Sequence, residues 1–163
     1  MNVRYIAPAV LVFGGVVLCL LATQPYKTPI ETPETGNPVA QGVFGGVPLR
    51  IEVAESVASQ EKGLGGRTDI PDGYGMLFPF ALAGNYGFWM KDMEVPIDIF
   101  WLDAQGQVVT MKESVSPETY PTVFYPTAPS SYVLETRAGF GAEHGIGLGS
   151  VLTGLPRSGN VSR

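Results

Sequence analysis

Glycine and proline interrupt this sequence so often that it favours short strands over a helical bundle. The chain contains 21 glycines and 14 prolines among 163 residues. Proline lacks the backbone N–H that helices and sheets need, and glycine favours the tight turns between short elements. Because 45% of the residues are hydrophobic and only 15% are charged, the chain can still build a core, and disorder throughout is excluded.

The charge and the few metal-binding side chains exclude several classes of function. The formal net charge is −5, which argues against a nucleic-acid partner because such proteins need a basic surface. Cys19 is the single cysteine, so neither a disulfide framework nor a CxxC redox or zinc site can form. His144 is the single histidine, which excludes a multi-histidine metal centre. We therefore expect no cofactor and no metal.

Residues 6–23 are predicted to be a membrane element. They are uncharged and mainly apolar, and as a helix they would span roughly 27 Å, close to the hydrocarbon thickness of about 30 Å. We interpret residues 1–23 as an uncleaved anchor. A cleaved signal peptide is the alternative, although cleavage after Ala22 would place Leu20 where a small residue is usual.

The charges around this segment indicate its orientation. Arg4 and the amino terminus precede it, and only Lys27 follows closely, so the amino end is expected in the cytoplasm. The chain would then be a single-pass protein of the cytoplasmic membrane with its carboxyl-terminal domain outside the cytoplasm. If the segment is cleaved instead, the domain is secreted or periplasmic.

The rest of the chain is expected to form one domain between a spacer and a tail. Residues 24–42 contain four prolines among small and polar residues, a composition typical of an extended, semi-rigid linker. Residues 43–155 carry the hydrophobic alternation of a folded domain. Residues 156–163 are expected to be a flexible tail.

Short apolar runs separated by turn residues predict a mainly β domain. Ser56 and Gly63 have the residue types that begin and end a short helix, and Asp103–Gly106 is a good hairpin loop. Pro79 predicts an edge strand or a bulge. The predicted strands are residues 47–54, 76–80, 86–91, 97–102, 108–112 and 132–136, with a last short one near 150. We expect a sandwich or barrel of about six to eight strands with one or two short helices.

The first candidate ligand-binding residues are Trp89 and Lys91. In an extended segment they share one face, opposite Phe88 and Met90. If Phe88 and Met90 belong to the core, Trp89 and Lys91 point outward or into a cleft. Sugar rings commonly stack on an exposed aromatic surface of this kind.

Two carboxylates and their neighbours complete the candidate set. Asp98 shares a strand face with apolar residues, so we expect it to be partly buried and paired with Lys91 or Arg67. Glu135 is expected to cap backbone N–H groups of the loop that follows it, and Tyr132 begins the same predicted strand. If Asp98 and Glu135 met, they would supply the acid and base of a glycoside hydrolase. No residue is assigned as catalytic on this basis.

Three segments resemble a known family. GMLFPF at residues 75–80, FWMKDMEVPIDIFWLDAQGQVV at 88–109 and YVLETRAG at 132–139 resemble the domain-of-unknown-function 192 family, over about residues 49–152. The resemblance implies a compact, mainly β fold in prokaryotic proteins, commonly behind a signal or anchor. It implies no established biochemical activity. Gly65-Gly66 and Asp92-Met93 depart from the family's usual residues.

The sequence favours a non-catalytic binding module, tethered to the membrane and displayed outside the cytoplasm. Its expected ligand is an envelope polymer such as a glycan, a small molecule or a protein. An envelope hydrolase using Asp98 and Glu135 and a structural or assembly protein are the two alternatives.

Overall fold

The computed structural model describes residues 36–156. The predicted membrane element and the predicted tail beyond residue 156 lie outside them. None of the helices in this range is long and apolar enough to cross a bilayer. In chain order the elements are β1 (Val39–Phe44), β2 (Val47–Val53), α1 (Val57–Lys62), β3 (Tyr74–Gly84), β4 (Ile97–Leu102), β5 (Val108–Val115), a 3-10 helix (Pro117–Thr119), β6 (Ser130–Arg137), α2 (Phe140–His144) and β7 (Leu152–Thr153).

All seven described strands join one sheet in the order β5-β4-β6-β3-β2-β1-β7. Neighbouring strands are antiparallel, except that β2 and β3 are parallel and are connected through α1. An isolated bridge between Gln107 and Val151 brings the two ends of this order together, so the sheet curls into a half-barrel. The mainly β prediction with two short helices is confirmed. A sandwich is wrong because there is only one sheet in residues 36–156.

The sheet carries a hydrophobic cluster on each face. Phe44 of β1 and Phe100 of β4 have ring centroids 5.1 Å apart, although three strands lie between them in the sheet. Their face is therefore the concave one, and its cluster also contains Leu49, Leu134 and Phe140. The other, convex face carries Met76, Phe78, Ile99, Trp101 and Val133, and it is covered by residues of the connecting loops such as Leu64, Ile70 and Met90.

Several local predictions are confirmed because the determining interactions are short-range. Ser56 accepts a hydrogen bond from the N–H of Ser59 and begins α1. Gly63 ends that helix at φ 52°. In the hairpin between β4 and β5, Oδ1 of Asp103 accepts hydrogen bonds from the N–H groups of Gln105 and Gln107 at 2.9 Å each.

Other predictions are wrong because the sheet order decides them. β1 begins at Val39, inside the predicted linker, because residues 39–44 pair with β2. β3 lies between β2 and β6, so it is not an edge strand, whereas the alternative of a bulge agrees with the shift in register between Pro79 and Gly84. Pro79 is tolerated there because β2 pairs with β3 only over residues 74–77 and because the β6 register shifts after Pro79.

Two further predictions fail on the convex face. Residues 86–91 are extended but form only the single bridge between Phe88 and Phe124, so they are not a strand of the sheet. The alternation of apolar and charged residues along β2 indicates a solvated position for Glu52, but Glu52 is buried. The reason is that both faces of β2 are covered and a cation, Arg67, lies against this carboxylate.

Candidate functional site

A cleft of about 550 Å³ opens on the convex face, between α1 and the segment that follows β3. Its volume falls in the range of small-molecule sites, which is about 300–1,000 Å³. Five aromatic side chains form part of its wall: Phe78, Phe80, Tyr86, Phe88 and Trp89. The cleft is the best-formed candidate for a ligand site among residues 36–156.

Glu135 lies at the floor of this cleft. The residue is 4% exposed, and its Oε2 has no hydrogen-bond partner among residues 36–156. Burial raises the pKa of Glu135 to about 8, against the opposing effects of the Arg67 charge and the backbone N–H of Leu64. A buried carboxyl with one unpartnered oxygen in a cleft is a functional-site candidate because a buried polar atom normally has a partner.

The fold directs Glu135 into the cleft through strand register and one glycine. Glu135 is opposite Met76 of β3 and Ile99 of β4, which places it on the convex face. Gly63 at the end of α1 borders the same point: a Cβ on Gly63 would lie in van der Waals contact, 3.5 Å from Oε2 of Glu135 and 3.5 Å from Cζ of Phe78.

The predicted residues Trp89 and Lys91 both line the cleft. Trp89 is 49% exposed, and its ring meets that of Tyr120 edge-on with centroids 6.2 Å apart. Met90 is buried and Phe88 packs partly into the core. The predicted division of this segment into a core side and an outward side is therefore correct, even though it is not a strand.

Arg67 lies beside the cleft in a second depression of about 480 Å³. Its Nη2 donates to Oε2 of Glu52 at 2.9 Å, and its Nη1 donates to the hydroxyl of Tyr74 at 2.6 Å. The Tyr74 hydroxyl donates in turn to the same Glu52 oxygen, and burial together with that carboxylate raises the pKa of Tyr74. Glu52 is opposite Met76, which is opposite Glu135, so Met76 separates the two buried carboxyls.

Asp98 is not in the cleft. It shares the concave face with Phe100, and it is fully buried. Its Oδ1 accepts hydrogen bonds from the N–H groups of Ser114 at 2.7 Å and Gly139 at 3.1 Å. Its Oδ2 accepts from the N–H of Gly141 at 2.9 Å. The expected pairing with Lys91 or Arg67 is wrong, because backbone donors satisfy this carboxylate.

Asp98 thus caps the loop after β6, the role that had been expected of Glu135. Because Asp98 and Glu135 project from opposite faces of the sheet, they cannot flank one glycosidic bond as acid and base. The hydrolase interpretation based on this pair is wrong.

Tyr132 also lies away from the cleft. Its side chain belongs to the concave cluster, and its hydroxyl donates to the carbonyl of Pro156 at 3.4 Å. Of the six candidate residues, the structure brings Trp89, Lys91 and Glu135 together and places Arg67 beside them. No three His, Cys, Asp or Glu side chains within residues 36–156 gather as a metal site would require.

Sequence reasoning missed Glu52 and the aromatic wall. Glu52 alternates with core residues along its strand, and nothing in the sequence indicates that it is buried. The burial becomes understandable only when the structure shows Arg67 against it. Phe78 and Phe80 stand in a run that indicates a buried strand, and only the curled sheet shows that its convex side borders a cleft. The signal available for Gly63 was its place at the end of a helix, not its contact with Glu135.

The two segments that depart from the usual family residues meet each other beside the cleft. The N–H of Gly66 donates to the carbonyl of Asp92 at 2.8 Å. A Cβ on Gly65 would lie 2.9 Å from the carbonyl oxygen of Lys62 and 3.5 Å from Cβ of Asp92. The small residue at position 65 allows this close approach.

Comparison with protein-family models shows which family the chain belongs to. The family model DUF192, described as "Uncharacterized ACR, COG1430", matches residues 40–154. The chain belongs to the DUF192 family. The match covers almost all of the described residues of this DUF192 chain, including the whole lining of the cleft that contains Glu135.

Solved structures share the fold. A protein of Sinorhizobium meliloti 1021, named a "putative transcription regulator", is 27% identical with a TM-score of 0.70, covering 75% of this chain and 98% of that one. A protein of unknown function from Novosphingobium aromaticivorans DSM 12444 is also 27% identical with a TM-score of 0.70, covering 78% of this chain and 93% of that one. The comparison with curated proteins gave no match.

Proposed function

We propose that this DUF192 chain is a membrane-tethered binding module that acts outside the cytoplasm. In this proposal the aromatic cleft holds a ring-bearing small ligand, such as one sugar unit of an envelope glycan. The observation that carries the proposal is the combination in one cleft of an exposed tryptophan with a buried carboxyl whose Oε2 has no partner among residues 36–156.

The cleft suits stacking combined with hydrogen bonding. Trp89 exposes about half of its surface, and an exposed indole ring at the edge of a cleft offers the apolar plane on which a sugar ring packs. Glu135 at the floor and Lys91 in the lining offer polar groups that would fix the orientation of the ring. An apolar wall with few converging polar groups is the usual composition of such sites.

The tether and the location rest on the sequence. The apolar residues 6–23, preceded by Arg4, support a single-pass anchor with the domain outside the cytoplasm. Alkaline phosphatase fused to the carboxyl terminus tests this, because the enzyme is active only outside the cytoplasm. Activity in the membrane fraction is expected, and activity in the soluble fraction would favour a cleaved signal. An inactive fusion would contradict the location.

The regulator name of the S. meliloti protein is not transferred to this chain. A net charge of −5 opposes binding to a phosphate backbone, since such binding draws its affinity from Lys and Arg contacts. We therefore propose no nucleic-acid partner.

Binding measurements on the purified chain test the proposal. The probes are soluble peptidoglycan fragments and short oligosaccharides of glucose, N-acetylglucosamine and glucosamine, and their binding is measured by isothermal titration calorimetry. Trp89→Ala should weaken binding at least ~tenfold, as about 1.4 kcal/mol of lost contact energy would. Because Trp89 is exposed, thermal unfolding should change little.

Leu148→Ala is the matched control. Leu148 is an exposed apolar residue outside the cleft lining, so its removal should leave binding unchanged. If no probe binds the unmodified chain, the binding function is wrong and a structural or assembly role takes its place. A large loss of stability in Trp89→Ala would show that Trp89 supports the core instead.

A further inference from the structure

We infer that the ligand presents a basic amine to Glu135, so that the recognised unit is an amino sugar with a free amino group or a similar organic ammonium. The inference rests on the proposed function and adds the chemical class of the group that reaches the floor of the cleft. It concerns only the contact with Glu135.

The first step is the unmet hydrogen bond. Oε2 of Glu135 is buried and has no partner among residues 36–156, and such a group costs free energy until a ligand satisfies it. Arg67 is not the hydrogen-bond partner of Oε2, because its Nη1 and Nη2 donate to Tyr74 and Glu52. A ligand that brings a donor to Oε2 satisfies this oxygen in the ionised form of Glu135.

The second step is the aromatic surround. Cζ of Phe78 and Oε2 of Glu135 border the same point beside Gly63, and the rings of Phe78 and Phe88 pack at 82° with centroids 5.0 Å apart. A cation between a carboxylate and aromatic rings gains a charge-assisted hydrogen bond and a cation–π attraction. A neutral hydroxyl gains only a hydrogen bond, and an anionic ligand would be repelled by an ionised Glu135.

The third step is charge balance. The cleft lining includes Glu61, Lys62 and Lys91 besides Glu135, and the first three are exposed, so water screens them. When Glu135 is ionised, its buried charge therefore dominates at the floor. The net charge of −5 also attracts cations to this molecule.

Binding of an ammonium group has a proton balance that can be measured. Burial favours the neutral carboxyl of Glu135 in the free protein. When an ammonium ligand binds, Glu135 ionises and its proton goes to the solvent. When the amine enters unprotonated, the same proton moves from Glu135 to the amine nitrogen and none is released.

Calorimetry with three trisaccharides on the full chain tests the inference. The probes are the trisaccharides of glucosamine, N-acetylglucosamine and glucose, so that only the substituent at one ring position changes. Glucosamine should bind roughly tenfold tighter than the other two. In Glu135→Gln, which keeps the size of the side chain, this preference should disappear.

Heats measured in two buffers of different ionisation enthalpy should show proton release on binding of the glucosamine probe below the pKa of its amine. This measurement uses only the unmodified chain, so it holds even if Glu135→Gln folds poorly. Equal affinity for all three sugars would overturn the inference that the ligand presents an amine to Glu135. The proposed binding function would remain supported. No binding by any of them would overturn both.

Discussion

Asp98 and Glu135 are one position apart in register on adjacent strands, yet their carboxyl groups lie on opposite faces of the sheet. Asp98 is opposite Thr136 of β6, and Glu135 is opposite Ile99 of β4. Because side chains alternate between faces along a strand, this offset of one residue gives the two carboxylates different roles. Asp98 holds backbone on the concave face, and Glu135 borders the cleft on the convex face.

Asp98→Ala should destabilise the fold without changing ligand affinity. The substitution leaves three backbone N–H groups, those of Ser114, Gly139 and the buried Gly141, without their side-chain acceptor. We expect a loss of about 3 kcal/mol or more in the free energy of unfolding, measured by urea denaturation. An affinity loss in the folded variant, with stability unchanged, would show that Asp98 acts on the ligand.

The stability of the chain should fall as pH rises from about 4.5 to about 8, because the pKa of Glu135 is raised from 4.5 to about 8 by burial. Below this range the Glu135 carboxyl is protonated in both the folded and the unfolded state, so its full contribution to the free energy of unfolding is present. Within it the folded state keeps a proton that the unfolded state has lost, so stability decreases by up to ~1.4 kcal/mol per pH unit. Urea midpoints across this range measure the slope.

Glu135→Gln is the matched control for this slope. The amide does not titrate, so the free energy of unfolding of this variant should not decrease with pH in this range. The substitution also keeps the side-chain volume. The pKa values of Asp72 and Glu143 are lowered by Arg137 despite an opposing effect of burial on Asp72, and their contributions are lost only as pH falls, outside this window. Parallel curves for the two proteins would contradict the raised pKa.

Much of the local structure could be predicted because its determinants are close in sequence. Ser56 and Ser59 form the capping box of α1, and Asp103 holds its own hairpin. The outward position of Trp89 also followed from the alternation with its core neighbours. These contacts involve residues only a few positions apart.

The rest depended on which strands become neighbours. β2 and β3 pair in parallel through α1, which buries Glu52 and places Arg67 against it. Asp98 was expected to pair with Lys91 or Arg67 because a partly buried carboxylate needs a partner, but strand register directs Asp98 to the concave face. Arg67, in the loop after α1, pairs with Glu52 instead. The contact between Gly63 and Glu135 joins positions far apart in the chain, and no local pattern encodes it.

Arg67→Met should raise the pKa of Glu135 further, because the Arg67 charge lowers it. The carbon-13 shift of the Glu135 carboxyl, followed by NMR through a pH titration, measures this. The variant also removes the ion pair between Arg67 and the buried Glu52, so a loss of stability, measured by urea denaturation, is expected. Arg67→Lys keeps the positive charge and should hold the pKa nearer its original value. An unchanged pKa in Arg67→Met would show that the guanidinium does not act on Glu135.

Gly63→Ala should weaken ligand binding, and Gly66→Ala should not. Both glycines have positive φ, 52° and 75°, so each alanine strains the backbone and should cost about 1 kcal/mol or more of stability. Only at Gly63 does the added methyl enter the floor of the cleft, 3.5 Å from Oε2 of Glu135; at Gly66 nothing lies within 4 Å of it. Urea denaturation and calorimetry with the glucosamine trisaccharide separate the two effects. Equal affinity in the two variants would show that the ligand does not reach the floor beside Glu135.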